Sequence, residues 1–224
     1  PYTVAAVNRL LGLRPDAVLV TGDLTDIGTA EEYALVRAEL DRLPCPVLAI
    51  PGNHDRPEEM RRAFADHAHL PAEGPLDFEV ELGGLRLIGL DSVVPGAEHG
   101  MLAPESLAFL DRALSQETRP AVVAVHHPPF RTGMIGMDRI GLLNGPEMAA
   151  VIARHPHVER VLCGHHHRPV QVRWAGTLGQ IAPSVAHQVA LDLSGGANAW
   201  TREPPALLLH VWREGAGLIT HTVY

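Results

Sequence analysis

The chain has 224 residues, 46% of them hydrophobic, and a formal net charge of −8. That is enough to bury one substantial core, and with no Gly/Ser linker or low-complexity tract we read residues 1–224 as a single domain. The acidic balance excludes a protein that binds chiefly by neutralising nucleic-acid phosphates, no apolar run reaches membrane-spanning length, and neither a signal peptide nor a Cys-x-x-Cys pair is present, so a cytoplasmic protein with no nucleic-acid polymer or membrane as partner is expected.

Thr3 to Leu13 has apolar positions at helical spacing until Arg14-Pro15-Asp16 breaks it, and Ala17 to Val20 reads as a short buried strand. Thr29 with Glu31 and Glu32 marks a helix start, continued by Tyr33, Leu35, Val36, Leu40 and Leu43 until Pro44 and Pro46 intervene before a strand over Val47 to Ile50. Residues 57–69 read as a helix, and Leu76 to Leu82 with Leu85 to Leu90 as a hairpin about Gly83-Gly84. Then come a helix from Pro104 through Leu114, a strand over Ala121 to Val125, a helix over Pro146 to His155 and a strand over Val158 to Cys163. The last section, about 169–224, is rich in strands: Val170 to Trp174, Gln188 to Leu193, Ala206 to Val211 and Leu218 to Val223.

Alternating strand and helix over the first two thirds predicts parallel pairing, and the closing run of strands an antiparallel addition; the fold class is α/β, a layered α/β/β/α sandwich. Residues of about 130–145, with Gly133, Gly136 and Gly141 and no clear period, read as a lid-like loop.

Four strings directly follow predicted strands: Gly22-Asp23-Leu24-Thr25-Asp26, Gly52-Asn53-His54-Asp55, His126-His127-Pro128-Pro129 and Gly164-His165-His166-His167. Ligands in open α/β sheets bind beyond the carboxyl ends of the strands, so the four strings can build one site. Asp23 offers two carboxylate oxygens, enough to bridge two cations roughly 3.5–4 Å apart. Taken alone, an Asp in Gly-Asp after a strand is more often a turn former or helix cap; the other strings change that weighting. Asn53 offers a neutral amide oxygen that leaves a metal electrophilic, and His54 beside it is better placed to face substrate. His126 ends five apolar residues and is the better-placed ligand of its doublet. His165 and His167, two apart, share a face if the segment is extended, with His166 turned away, and can address adjacent metals. The mixed oxygen and nitrogen set suits two divalent transition-metal ions, manganese, iron, zinc or cobalt, whose activated hydroxide attacks a phosphoester in line.

The ordered set GDxxD, GNHD, HHPP and GHxH, spanning Gly22 to His167, resembles the calcineurin-like metallophosphoesterase superfamily, and within it the class III cyclic-nucleotide phosphodiesterases and bacterial glycerophosphodiesterases. The resemblance implies that Asp23 bridges, that Asn53, His126 and His165 complete one metal, and that His167 binds the other. It also implies that His54 contacts the phosphate and protonates the leaving group, with Asn53, His127 and His187 on the substrate side. Met137-Asp138-Arg139-Ile140 and Ala182-Pro183-Ser184 with His187-Gln188 look similar to lid and substrate-side segments of that group. The implied reaction is hydrolysis of small phosphodiesters, cyclic nucleotides or glycerophosphodiesters, by an enzyme whose relatives are often homo-oligomers.

One departure is clear. The family begins with an Asp-x-His string on a first core strand, and none precedes Asp23; Asp66-His67-Ala68-His69 is the only similar text and lies on a predicted helix. The expectation is a longer native protein with a central strand upstream, since a sheet lacking an interior strand exposes backbone groups and apolar side chains. The competing readings are a phosphomonoesterase or nucleotide pyrophosphatase on the same core, or a catalytically impaired metal-binding protein.

Overall fold

The computed structural model describes residues 2–224. Helix α1 (Tyr2–Leu13) leads into β1 (Val18–Val20), α2 (Ala30–Leu40), β2 (Val47–Ala49) and α3 (Pro57–Ala63). The hairpin β3 (Phe78–Leu82) and β4 (Leu85–Leu90) is followed by α4 (Pro104–Gln116), β5 (Ala121–Val125), the single-turn α5 (Ile135–Asp138), α6 (Gly145–Ile152) and β6 (Val158–Cys163). The chain closes with β7 (Val170–Trp174), β8 (Thr177–Ile181), β9 (Gln188–Val189), β10 (Trp200–Thr201), β11 (Leu207–Arg213) and β12 (Gly217–Val223).

Four layers follow from the alternation of side chains along the strands. The main sheet runs β3-β4-β5-β6-β8-β7, parallel from β4 through β8 and antiparallel at both edges. Ala121, Val123 and Val125 of β5 face α4 and α6, where Leu110, Leu114, Met148 and Ile152 complete one core. Val122 and Ala124 face the other way and meet Leu48 and Ile50, with Leu19, Trp212 and Leu218 packed at the border, so the β1–β2 pair and the β11–β12 hairpin lie against the main sheet. Val47 and Ala49 then point outward to Val7, Tyr33, Leu40 and Met60 of α1, α2 and α3, and to Phe64 just beyond α3. The result is helices, strands, strands, helices, the predicted α/β/β/α order. Burying each such aliphatic side chain contributes about 1.5–3 kcal/mol.

The helix start read at Thr29 is made by a capping box: Thr29 Oγ1 accepts from the Glu32 N–H, and the Glu32 carboxylate accepts from the Thr29 N–H. Gly83 and Gly84, at φ +56° and +90°, make the expected tight turn. Several elements differ from the sequence reading, among them β8 and β10, which it did not mark. The helix expected over 57–69 stops at Ala63, because Phe64 turns inward to the core and His67 and Leu70 enter successive turns. The strand expected over Gln188 to Leu193 is only two residues long, because the Asp192 carboxylate takes the Ser194 and Gly196 N–H groups and turns the chain. The lid-like loop contains α5, pinned by the Asp138 carboxylate on the N–H groups of Thr132 and Gly133.

Candidate metal centre

All four strings lie at carboxyl ends of parallel strands. Those of β1 and β2 come from one sheet and those of β5 and β6 from the other, and a hydrogen bond joins them: His126 Nδ1–H donates to the Thr21 carbonyl at 2.7 Å. That bond commits the ring to presenting Nε2, which lies 3.2 Å from Asp23 Oδ2 and 3.2 Å from Asn53 Oδ1. Close approach needs glycine here. A Cβ on Gly22, itself at φ +96°, would sit 2.2 Å from His126 Nδ1, and one on Gly52 would sit 2.2 Å from Asp23 Oδ1.

The imidazoles fall into two groups. His126, His127 and His165 form a buried cluster with ring centroids 4.7–5.1 Å apart, and their nitrogens converge within 4.8 Å. His167 lies with His187 and Trp200, its Nε2 3.9 Å from the same Asp23 Oδ2. Asp23 is therefore shared between the two groups. The backbone is bent to do this: Asp23, His165 and His167 adopt φ values of +54°, +64° and +47°, sparsely populated for residues with a side chain and typical of functional sites. His165 and His167 thus do not share a face through an extended segment, as the spacing predicts; two left-handed residues aim them separately. His166 between them turns away into the protein, where it is fully buried near Asp138 and its imidazole is pushed down to about 4 by burial.

The electrostatics fit a cation. Burial opposes ionisation of Asp23, yet the facing His126 ring, the nearby His167 ring and the hydrogen bond from the His54 N–H hold its carboxyl far below the usual range. Burial pushes His126 down and the Asp23 carboxylate more than reverses it. Burial keeps His165 well below its ordinary value, so the ring is neutral with a lone pair to give, and its Nε2 has no hydrogen-bond partner. Two ligands of one divalent ion at 2.0–2.2 Å stand roughly 3–3.5 Å apart, the separation seen between His126 Nε2 and both Asp23 and Asn53. The residues present fit a divalent transition metal held by nitrogen and oxygen.

His54 stands at the rim with its side chain 49% exposed; its N–H donates to Asp23 Oδ1 at 3.1 Å and its Nδ1 bonds the Asp26 carbonyl at 2.9 Å. His127, expected on the substrate side, is fully buried inside the cluster, its Nδ1 2.8 Å from Ser92 Oγ and its ring pushed down to about 2 by burial. His187, also expected on the substrate side, adjoins His167 at 5.1 Å.

Two residues escaped the sequence reading. Asp55, the last letter of the second string, is buried and accepts from the N–H groups of Gly52 and Leu24 at 2.9 and 3.1 Å and from the hydroxyls of Thr25 and Tyr33, both at 2.9 Å, tying the first string to the second. Its place inside the motif was the available signal. Trp200 lies 5.4 Å from His167, and nothing local in the sequence marks it.

Residues 1–169 match the calcineurin-like phosphoesterase family model. The chain is 38% identical over 214 residues to a probable glycerophosphodiester phosphodiesterase GpdQ of Arcobacter nitrofigilis, covering 94% of this chain and 78% of that protein. It is 31% identical over 175 residues to the 3',5'-cyclic adenosine monophosphate phosphodiesterase CpdA of Escherichia coli, covering 77% of this chain and 62% of that one. Among solved structures, a dimetal phosphatase from Danio rerio shares the fold at a TM-score of 0.69 and 16% identity, over 99% of this chain and 88% of that chain. With the family model matched over three quarters of its length, the chain belongs to the calcineurin-like phosphoesterases.

Proposed function

We propose that this phosphoesterase hydrolyses small phosphodiesters, cyclic nucleotides or glycerophosphodiesters, with two divalent ions drawn from manganese, iron, zinc and cobalt. The observation that carries the reading is the half-buried carboxylate of Asp23, 3.2 Å from one imidazole group at His126 and 3.9 Å from the other at His167. The relatives named for glycerophosphodiester and cyclic-nucleotide hydrolysis support the substrate class.

In this reading Asp23 bridges, Asn53, His126 and His165 complete one ion's ligands, and His167 contributes to the other's. Such ions, when bound, polarise the phosphoryl oxygens and activate water for in-line attack. The side chains do the rest. The Thr21 carbonyl holds the His126 tautomer, and Asp55 holds the two loops that carry Asp23 and Asn53 in mutual register. His54, oriented through Nδ1 by the Asp26 carbonyl, turns Nε2 to the rim, where it meets the phosphate and delivers a proton to the departing alkoxide. Asn53 and His187 contact substrate from either side, and His127 supports the cluster from beneath through Ser92.

We further propose that residues 130–145 act as a lid, and that the protein is a cytoplasmic homo-oligomer. Cys45 and Cys163 are both free, which suits a reducing compartment, and the β11–β12 hairpin leaves Ile219 and Tyr224 exposed for a second copy to cover. No helix among the described residues is long and apolar enough to cross a membrane.

Bis(p-nitrophenyl) phosphate, p-nitrophenyl phosphate and cyclic AMP, assayed side by side on manganese-supplemented protein, test the reading. Hydrolysis of the diesters is expected; activity confined to the monoester overturns it.

A further inference from the structure

Trp200 is 63% exposed, although tryptophan side chains are highly buried on average, and it belongs to none of the apolar core clusters. Its position is nevertheless set. The β9–β10 ladder pairs Trp200 with Val189 and Thr201 with Gln188, and the Ala190 N–H donates to the Ala199 carbonyl at 2.8 Å. Gln188, buried, anchors the start of the ladder by bonding the Ser184 N–H and carbonyl through its side chain. The connecting loop is braced on α5: a Cβ on Gly136 would fall 2.3 Å from Asn198 Oδ1, and one on Gly195 3.3 Å from Ile135.

This framework puts the indole beside the metal centre. Its ring lies 4.3 Å from His187, edge to face at 89°, and 5.4 Å from His167, whose Nε2 approaches Asp23. An exposed, pre-positioned aromatic plane one imidazole away from a phosphate site suits a flat ring carried by the same substrate, because stacking needs only a π-face and no hydrogen-bond code. A ball-shaped quaternary ammonium group is a poorer match: its binding uses a cage of several aromatic faces, whereas the other rings here are imidazoles.

We infer that Trp200, supported edge-on by His187, is the platform on which the base of a cyclic nucleotide stacks while its phosphodiester lies at Asp23, making this residue the determinant that favours nucleotide diesters over glycerophosphodiesters. The inference rests on the phosphodiesterase reading above.

The test compares wild type, Trp200→Ala and Trp200→Phe, all manganese-loaded, on cyclic AMP, glycerophosphoethanolamine and glycerophosphocholine. Trp200→Ala raises KM for cyclic AMP by about tenfold or more with kcat little changed, leaves kcat/KM for both glycerophosphodiesters within about twofold, and Trp200→Phe restores most of the loss. A readout independent of turnover is indole fluorescence of metal-stripped protein. Cyclic AMP quenches it in wild type and not in Trp200→Phe, where Trp174 and Trp212 remain as controls. Equal losses on all three substrates, an unchanged KM for cyclic AMP, a loss confined to glycerophosphocholine, or dissociation of an oligomer by Trp200→Ala would each overturn the inference. If wild type cleaves no phosphodiester, the phosphodiesterase reading fails, and the fluorescence titration still decides whether the indole stacks on the base.

Discussion

His126 Nδ1 and the Thr21 carbonyl, 2.7 Å apart, join the carboxyl ends of strands from two different sheets. The bond leaves Nε2 directed at Asp23, a carboxylate on which both imidazole groups converge. Asp23→Ala is expected to bind less than one equivalent of manganese and to lose about 10³-fold or more in kcat/KM, because the charge that holds the ions is gone. Chelation followed by dialysis lowers Tm in wild type and leaves the variant unmoved, since bound ions stabilise only a chain that holds them. Retained activity in Asp23→Ala removes the bridging assignment.

His54 gives Asp23 only its backbone N–H, and its ring leans on Asp26 instead. His54→Ala therefore keeps its metal content while kcat falls by about 10²–10⁴-fold, the usual effect of removing a general acid. The drop should be smaller for esters with good leaving groups, such as bis(p-nitrophenyl) phosphate, than for cyclic AMP. Loss of metal from this variant would instead make His54 a ligand.

Asp55 accepts four hydrogen bonds and carries no role in binding. Asp55→Ala strands two backbone donors and the Tyr33 hydroxyl in the interior, and about 3 kcal/mol of stability should go with them. Tyr33→Phe removes one of the four and should cost about 1 kcal/mol. Urea midpoints measure both; an Asp55→Ala loss no larger than that of Tyr33→Phe would mean the carboxylate does not clamp the strings.

The core strands and the metal strings were readable because their signals are local. Apolar runs ending in Gly-Asp, Gly-Asn, His-His and Gly-His give strand ends and candidate ligands together, and Thr29 with Glu32 or Gly83-Gly84 carry their own geometry. What escaped depends on distant partners. Strand β8 begins after Ala175-Gly176, and alanine at φ +49° is no turn residue by composition, so Gly176 alone marked the β7–β8 hairpin. The left-handed backbone at His165 and His167 is imposed by tertiary packing and cannot be seen in their spacing. Asp55 and Trp200 acquire meaning only when residues more than twenty positions away arrive beside them.

His210, on β11, is far in sequence from the strings and gives a pH test of the fold. Burial, aided by Arg160, pushes its imidazole down to about 4, while its Nδ1 meets Thr220 Oγ1 at 2.9 Å. In the unfolded chain the ring titrates at about 6.5. Between these values the unfolded state binds a proton that the folded state refuses, so stability falls as pH drops from about 6.5 toward 4, by at most about 1.4 kcal/mol per unit. Above pH 7 the ring is neutral in both states and contributes no slope. His210→Asn keeps a partner for Thr220 and removes the titration, so its Tm should fall less than that of wild type between pH 7.5 and 5. Parallel declines in the two proteins would show that His210 is not the group responsible.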